Sequence, residues 1–216
     1  PTISMICSVV ETETKKPAAL GPRVIAKKAE EYLKSTGIAS ESIWGPEYEF
    51  YIFDKVTFGE SSNYSYYELD TNEGHWQSMT DREMPYSLPI AKQKGYHAVA
   101  PRDTLHNLRA EICELIENNM NVKVKYHHHE VGGAGQCEIE TGRGPMLEMA
   151  DAVMKIKYVV QNVANENEKV ATFMPKPLYN EAGSGMHFHQ QIMKDGEPVF
   201  YDEKGYYGLS ETALYY

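Results

Sequence analysis

Apolar positions along the chain first alternate with polar ones and then recur at helical spacing, and the two patterns exchange several times. Residues 2–10 read as a first strand. Pro22 suits the first turn of a helix running to about residue 35, with Val24, Ile25, Ala29, Tyr32 and Leu33 as its apolar stripe and Gly37 as its stop. Residues 42–53 alternate and are rich in aromatics, which predicts a strand. The tyrosine-rich stretch 59–95, with scattered Asn, Gly and Pro, predicts irregular loops and short strands. Asp103 is placed to cap a helix through about residue 118. On it, His106, Arg109, Ala110 and Cys113 share one face, and Leu108, Ile112, Leu115 and Ile116 supply the apolar side.

Residues 122–130 and 136–141 read as two strands of a hairpin around a glycine-rich loop. The longest helix is expected over 146–169, with Leu147, Ala150, Met154, Val160 and Val163 at apolar positions. A short strand over 171–174 is ended by Pro175 and Pro177. Another covers 185–194, and Lys194-Asp195-Gly196 is a hairpin turn signal. Ser210 and Glu211 resemble a helix N-cap and first turn. Strands and helices are interspersed, with antiparallel hairpins among them, so the expected class is α+β.

A chain of 216 residues, 42% hydrophobic and 24% charged, can bury one sizeable core or two small ones. Its apolar runs are too short to cross a bilayer, and no basic-then-apolar leader stands at the start, so neither membrane insertion nor secretion is expected. Cys7, Cys113 and Cys137 are few and lack metal-site spacing, which suits a reduced, cytoplasmic protein. A net charge of −10 argues against a nucleic-acid partner. It also raises the possibility that carboxylates are gathered around cations. The chain opens at Pro1, and its last helix would stop after barely two turns, so a piece of a longer protein is expected.

Three stretches carry candidate chemistry. In Gly45-Pro46-Glu47-Tyr48-Glu49-Phe50 the glutamates are two apart on a strand, so both carboxylates share a face while Tyr48, Phe50 and Ile52 take the other. Glu130 and Glu138 flank the glycine-rich loop and could face each other across the hairpin. In Met186-His187-Phe188-His189 the histidines again share a face, with Met186, Phe188 and Ile192 as core positions. Taken singly, a Glu-x-Glu is most often a solvated face, and a strand histidine is as often a satisfied core group. The run His127-His128-His129 is weaker still, because adjacent strand residues point to opposite faces. Together, four strand carboxylates and a histidine backed by apolar faces point to magnesium or manganese, held by oxygen with some imidazole. Such ions suggest phosphoryl transfer, although no P-loop or kinase-type glycine loop is present.

The run Lys176-Pro177-Leu178-Tyr179-Asn180-Glu181-Ala182-Gly183-Ser184-Gly185-Met186-His187-Phe188-His189 closely resembles the nucleotide-binding signature of glutamine synthetases. The Glu47–Glu49 strand, the segment from His127 to Glu138 and the ending Gly208-Leu209-Ser210-Glu211-Thr212-Ala213-Leu214-Tyr215-Tyr216 resemble the same family, in the same order. The resemblance implies the type I enzyme and a partial catalytic domain of glutamine synthetase/guanido kinase-like fold, a curved, mainly antiparallel sheet with flanking helices.

It further implies that Glu49, Glu130 and Glu138 hold a first metal ion and Glu47 and His187 a second. Lys125, His189, Gln190 and Gln191 would lie at ATP, and Ala182 and Gly183 at glutamate. ATP would phosphorylate the glutamate γ-carboxylate, and ammonia would then displace phosphate. The small N-terminal β-grasp domain, an arginine cluster, a sixth metal ligand and the active-site flap would lie outside these residues, and the whole protein would form a double-ring homo-oligomer. Gln191 stands where the signature usually closes on serine, Ala182 where asparagine is frequent, and Lys125 where a glutamate is common. The competing readings are a sister ligase joining glutamate to an amine or polyamine, and a non-catalytic relative.

Overall fold

The computed structural model describes residues 3–76 and 88–216. They divide into two compact units, one of Pro1–Gly45, Arg143–Val153 and Phe188–Tyr216, the other of Pro46–Gly142 and Met154–His187.

In the first unit, α1 (Pro22–Thr36) starts with Pro22 in its first turn and ends on Gly37, whose left-handed φ of 71° lets its N–H return to Lys34 O. Its apolar stripe is not core: no α1 residue is buried, and Ala29, Tyr32 and Leu33 of the stripe line an open groove of about 530 Å3 with Ile38, Met146, Ile192 and Tyr215. The first residues of β1 (Glu41–Phe53) pair with β6 (Gly144–Pro145). β8 (Phe188–Lys194) turns into β9 (Glu197–Pro198) through Asp195 and Gly196, both at positive φ as a tight hairpin requires. Ser210 caps α4 (Glu211–Tyr215) as expected, accepting a hydrogen bond from Ala213 N at 3.1 Å. The expected strand over 2–10 does not form in the described residues. Its backbone makes one isolated bridge, Val10 to Pro17, and Ile3 and Met5 are exposed, because a strand without a ladder partner has nothing to hold it extended.

The second unit carries the rest of β1 beside β5 (Gln136–Thr141), which in turn pairs with β4 (Val124–His129); β7 (Val170–Thr172) joins the far end of β1. All these ladders are antiparallel, in keeping with the α+β expectation. One face of this sheet is packed: Tyr48, Phe50, Ile52, Cys137 and Ile139 are buried with Ile112 and Ile116 of α2 (His106–Met120) and Ile156, Val160 and Val163 of α3 (Met146–Glu166). Asp103 is not the cap of α2, whose N-cap is Leu105. Its carboxylate instead takes the guanidinium of Arg109, which is fully buried, and also accepts Leu105 N at 3.2 Å. A buried guanidinium needs a paired anion more than a helix end needs a cap.

The short strands expected within 59–95 include β3 (Tyr64–Asp70), which forms a regular hairpin with β2 (Lys55–Ser61), a strand that starts before that stretch; there Tyr66 lies across the way from Gly59 and fills the space of its missing side chain. Residues 77–87 of that stretch lie outside those described. Strand β8 begins at Phe188, later than residue 185, and Met186 and Phe188 are exposed; only Ile192 of that trio is core. Among the described residues no helix is long and apolar enough to cross a membrane.

Candidate active site

Residues directly opposite one another in an antiparallel ladder project from the same face. β5 runs between β4 and β1, so the register sets Glu138 beside Glu49 on one side and His128 on the other. In the next row it sets Glu140 beside Glu47 and Tyr126. The intervening Cys137 and Ile139 turn to the core. One face of three strands is thereby lined with acid, and the expected sharing of a face by Glu47 and Glu49 follows from the same alternation.

Glu130 lies just past the end of β4. Its Oε2 accepts Val131 N at 2.6 Å, and its carboxyl comes within hydrogen-bonding reach of Glu138. His187 approaches from the segment before β8, with Nδ1 3.2 Å from Glu47 Oε2 and 3.5 Å from Glu49 Oε1. The backbone reinforces this approach, since Glu47 N donates to His187 O at 3.0 Å. Glu47, Glu49, Glu130, Glu138 and His187 therefore come together. Burial first, then the hydrogen bond shared with Glu130, and then the charges of Glu130, Glu47 and Glu49, push the Glu138 carboxyl up to about 8. Crowded carboxylates with an imidazole at hand have the donor chemistry of a site for a hard divalent cation.

The loops around the acids are tied to them. Gln136 Nε2 donates to Glu49 Oε2 at 3.1 Å and to Gly183 O at 2.9 Å, and Gly185 N donates to the same Glu49 oxygen at 3.1 Å. Tyr51 Oη donates to Ala182 O at 2.5 Å. Gly132 must be glycine for this arrangement, because a Cβ there would lie 2.0 Å from Tyr51 Oη. Ala182 and Gly183 are thus tied through their backbone carbonyls to Tyr51 and Gln136, and Gln136 in turn donates to Glu49. On the core side, His129 is fully buried between Glu73 Oε2, 3.0 Å from Nε2, and Glu130 O, 2.7 Å from Nδ1. Burial alone would lower the His129 pKa, but the hydrogen bond and charge of Glu73 prevail and raise it.

Of the residues expected at a nucleotide, Lys125 sits at a register shift of β4 with Nζ 2.7 Å from Glu140 Oε1. His189, Gln190 and Gln191 lie on β8, in the first unit. The sequence reading passed over His128, Glu140 and Gln136. The signal for each was the rule already applied to Glu47 and Glu49: His128 and Glu130, Glu138 and Glu140, and Gln136 and Glu138 are all two apart.

A family model described as the glutamine synthetase catalytic domain matches residues 19–216. The chain is 47% identical over 218 residues to a glutamine synthetase of Pasteurella multocida, covering all of this chain and 46% of that protein. It is 44% identical over 216 residues to a glutamine synthetase of Microchaete diplosiphon, covering 45% of it. Among solved structures, the Plasmodium falciparum glutamine synthetase superposes with a TM-score of 0.84 at 30% identity, over 95% of this chain and 40% of the other. The chain spans about half the length of the curated relatives it matches. It belongs to the glutamine synthetase catalytic-domain family.

Proposed function

We propose that this chain is the central part of the catalytic domain of an ATP-dependent glutamate–ammonia ligase, whose remaining catalytic segment and N-terminal domain lie outside it. The observation that carries the reading is the acid-lined face of β4, β5 and β1, where Glu47, Glu49, Glu130, Glu138 and His187 converge. Family membership and the length of the relatives support the assignment of the whole protein. Glu49, Glu130 and Glu138 hold one divalent cation, and Glu47 and His187 hold a second. When bound, magnesium or manganese neutralises the charge that develops on transferred phosphate.

The chain's own residues bind and orient. The family resemblance assigns Lys125 of the second unit and His189, Gln190 and Gln191 of the first to ATP. The segment of Ala182 and Gly183, tied to Tyr51 and Gln136, presents backbone groups to glutamate beside Glu49. The γ-carboxylate of glutamate takes the terminal phosphoryl group of ATP, and ammonia then displaces phosphate to give glutamine. The whole protein works as a homo-oligomer in the cytoplasm.

The test is product formation by the whole protein with ATP, L-glutamate and ammonium in the presence of magnesium or manganese. Glutamine, ADP and phosphate in equal amounts are expected. Faster turnover with an alkylamine or polyamine than with ammonium replaces this reading with the sister ligase. No product with any amine overturns it.

A further inference from the structure

We propose that His128 is a ligand of the cation held by Glu130 and Glu138, which makes this site one of mixed imidazole and carboxylate that favours manganese over magnesium. The inference rests on the reading that those two glutamates hold a cation.

The placement comes from the strand. His128 is directly opposite Glu138 in the β4–β5 register, and Glu130 is two residues further along the chain. Its Nε2 lies 3.2 Å from Glu138 Oε2, and one ligand atom from each of His128, Glu130 and Glu138 lies within 4.8 Å of the others. One cation can therefore be reached by all three with small side-chain rotations.

The other ring nitrogen decides which form of the imidazole is presented. Nδ1 lies 3.1 Å from the carbonyl oxygen of His129. A carbonyl only accepts, so Nδ1 carries the hydrogen, and in the neutral ring the lone pair sits on Nε2, toward the carboxylates. A backbone carbonyl behind the non-ligating nitrogen is the usual support of a metal-bound histidine, because it holds both tautomer and ring plane.

Aromatic neighbours hold the plane further. The ring stacks with His97 at 4.6 Å and with Tyr126 at 5.8 Å between centroids, and the edge of Tyr96 meets it at 5.7 Å. His97 is itself anchored, since its N–H donates to the same His129 carbonyl at 3.0 Å. A histidine serving only as an ion-pair partner for Glu138 does not need this enforced tautomer.

The two roles separate in metal preference. Magnesium gains little from imidazole, whereas manganese accepts it. His128→Asn keeps a donor for the His129 carbonyl and removes Nε2. Manganese binding followed by its electron paramagnetic resonance signal, with magnesium measured by competition, should show manganese affinity falling about tenfold or more. Magnesium affinity should stay within about twofold, in line with its oxygen preference. An equal fall for both ions, or none for either, overturns the inference.

If parental binding is lost in Glu138→Gln while the manganese-to-magnesium ratio is untouched in His128→Asn, the cation reading stands and His128 alone is excluded. A parent that binds no manganese sinks both. Should His128→Asn fail to fold, pulsed resonance on a variant lacking His187 and His189 decides the matter. Nitrogen coupling to the bound manganese is expected there, and its absence contradicts ligation by His128.

Discussion

The two faces of β5 handle buried charge in opposite ways. On the core face, next to Cys137, Arg109 is fully buried but meets Asp103 through both carboxylate oxygens, so the pair is close to neutral as a unit. Burial would raise the Asp103 pKa, yet Arg109 prevails and holds it below the ordinary carboxylate range. One residue further along, on the opposite face, Glu138 is nearly as buried and meets Glu130, Glu49 and Glu47, and its pKa moves the other way. A pair that closes its own charge reads as architecture. A cluster left with excess negative charge reads as a place for something positive, since a bound cation would offset the cost of crowding those carboxylates.

Breaking the closed pair should have the largest effect. Asp103→Ala leaves a buried guanidinium without its anion and should cost about 3–5 kcal/mol in urea unfolding, whereas Asp103→Leu combined with Arg109→Met should recover most of that. A single-variant loss no larger than that of a surface substitution would mean that the core face is not charge-closed.

The acid face should respond in the opposite sense. Glu138 has a folded pKa near 8, above its ordinary value of 4.5, so the stability linked to its protonated form is fully present below about pH 4.5 and gone by about pH 8. Without metal, unfolding free energy should therefore fall across that window. Glu138→Gln should flatten the fall and stabilise the metal-free protein at pH 8 by an amount on the order of a few kcal/mol, as one pKa unit corresponds to about 1.4 kcal/mol. A variant less stable than the parent at pH 8 would remove the contrast between the faces.

A smaller effect probes how the acid face is held in shape. Tyr51→Phe removes the donor to Ala182 O and should cost about 1 kcal/mol. It should also weaken manganese binding by loosening the segment whose Gly185 N–H reaches Glu49. Unchanged manganese affinity would show that the segment is positioned without Tyr51.

What could be read in the sequence was what alternation fixes locally. Glu47 and Glu49 share a face because they are two apart, whatever the rest of the chain does. His128 is masked within a run of three histidines, of which only His128 is in phase with Glu130. Asp103 was misjudged because its partner, Arg109, lies beyond the reach of a capping rule. The strand expected over residues 2–10 had the right residues but finds no ladder partner among the described residues, which local pattern cannot supply. Short strands were legible over 59–95, but not the pairing of β2 with β3 or the start of β2 at Lys55, because Gly59 weakens the strand pattern and Tyr66 offsets that weakness only from the facing strand.

If the acid face is a preformed divalent-cation site, the protein should resist thermal unfolding at pH 8 more strongly as manganese is added. A cation that binds only the folded arrangement, at one hundred times its dissociation constant, adds about 2.7 kcal/mol, or roughly 5–10 °C for a chain of this size. Such a rise is expected in the parent, with a nearly flat response in Glu130→Gln and Glu138→Gln. No rise in the parent, or an equal rise in both variants, would contradict a preformed site.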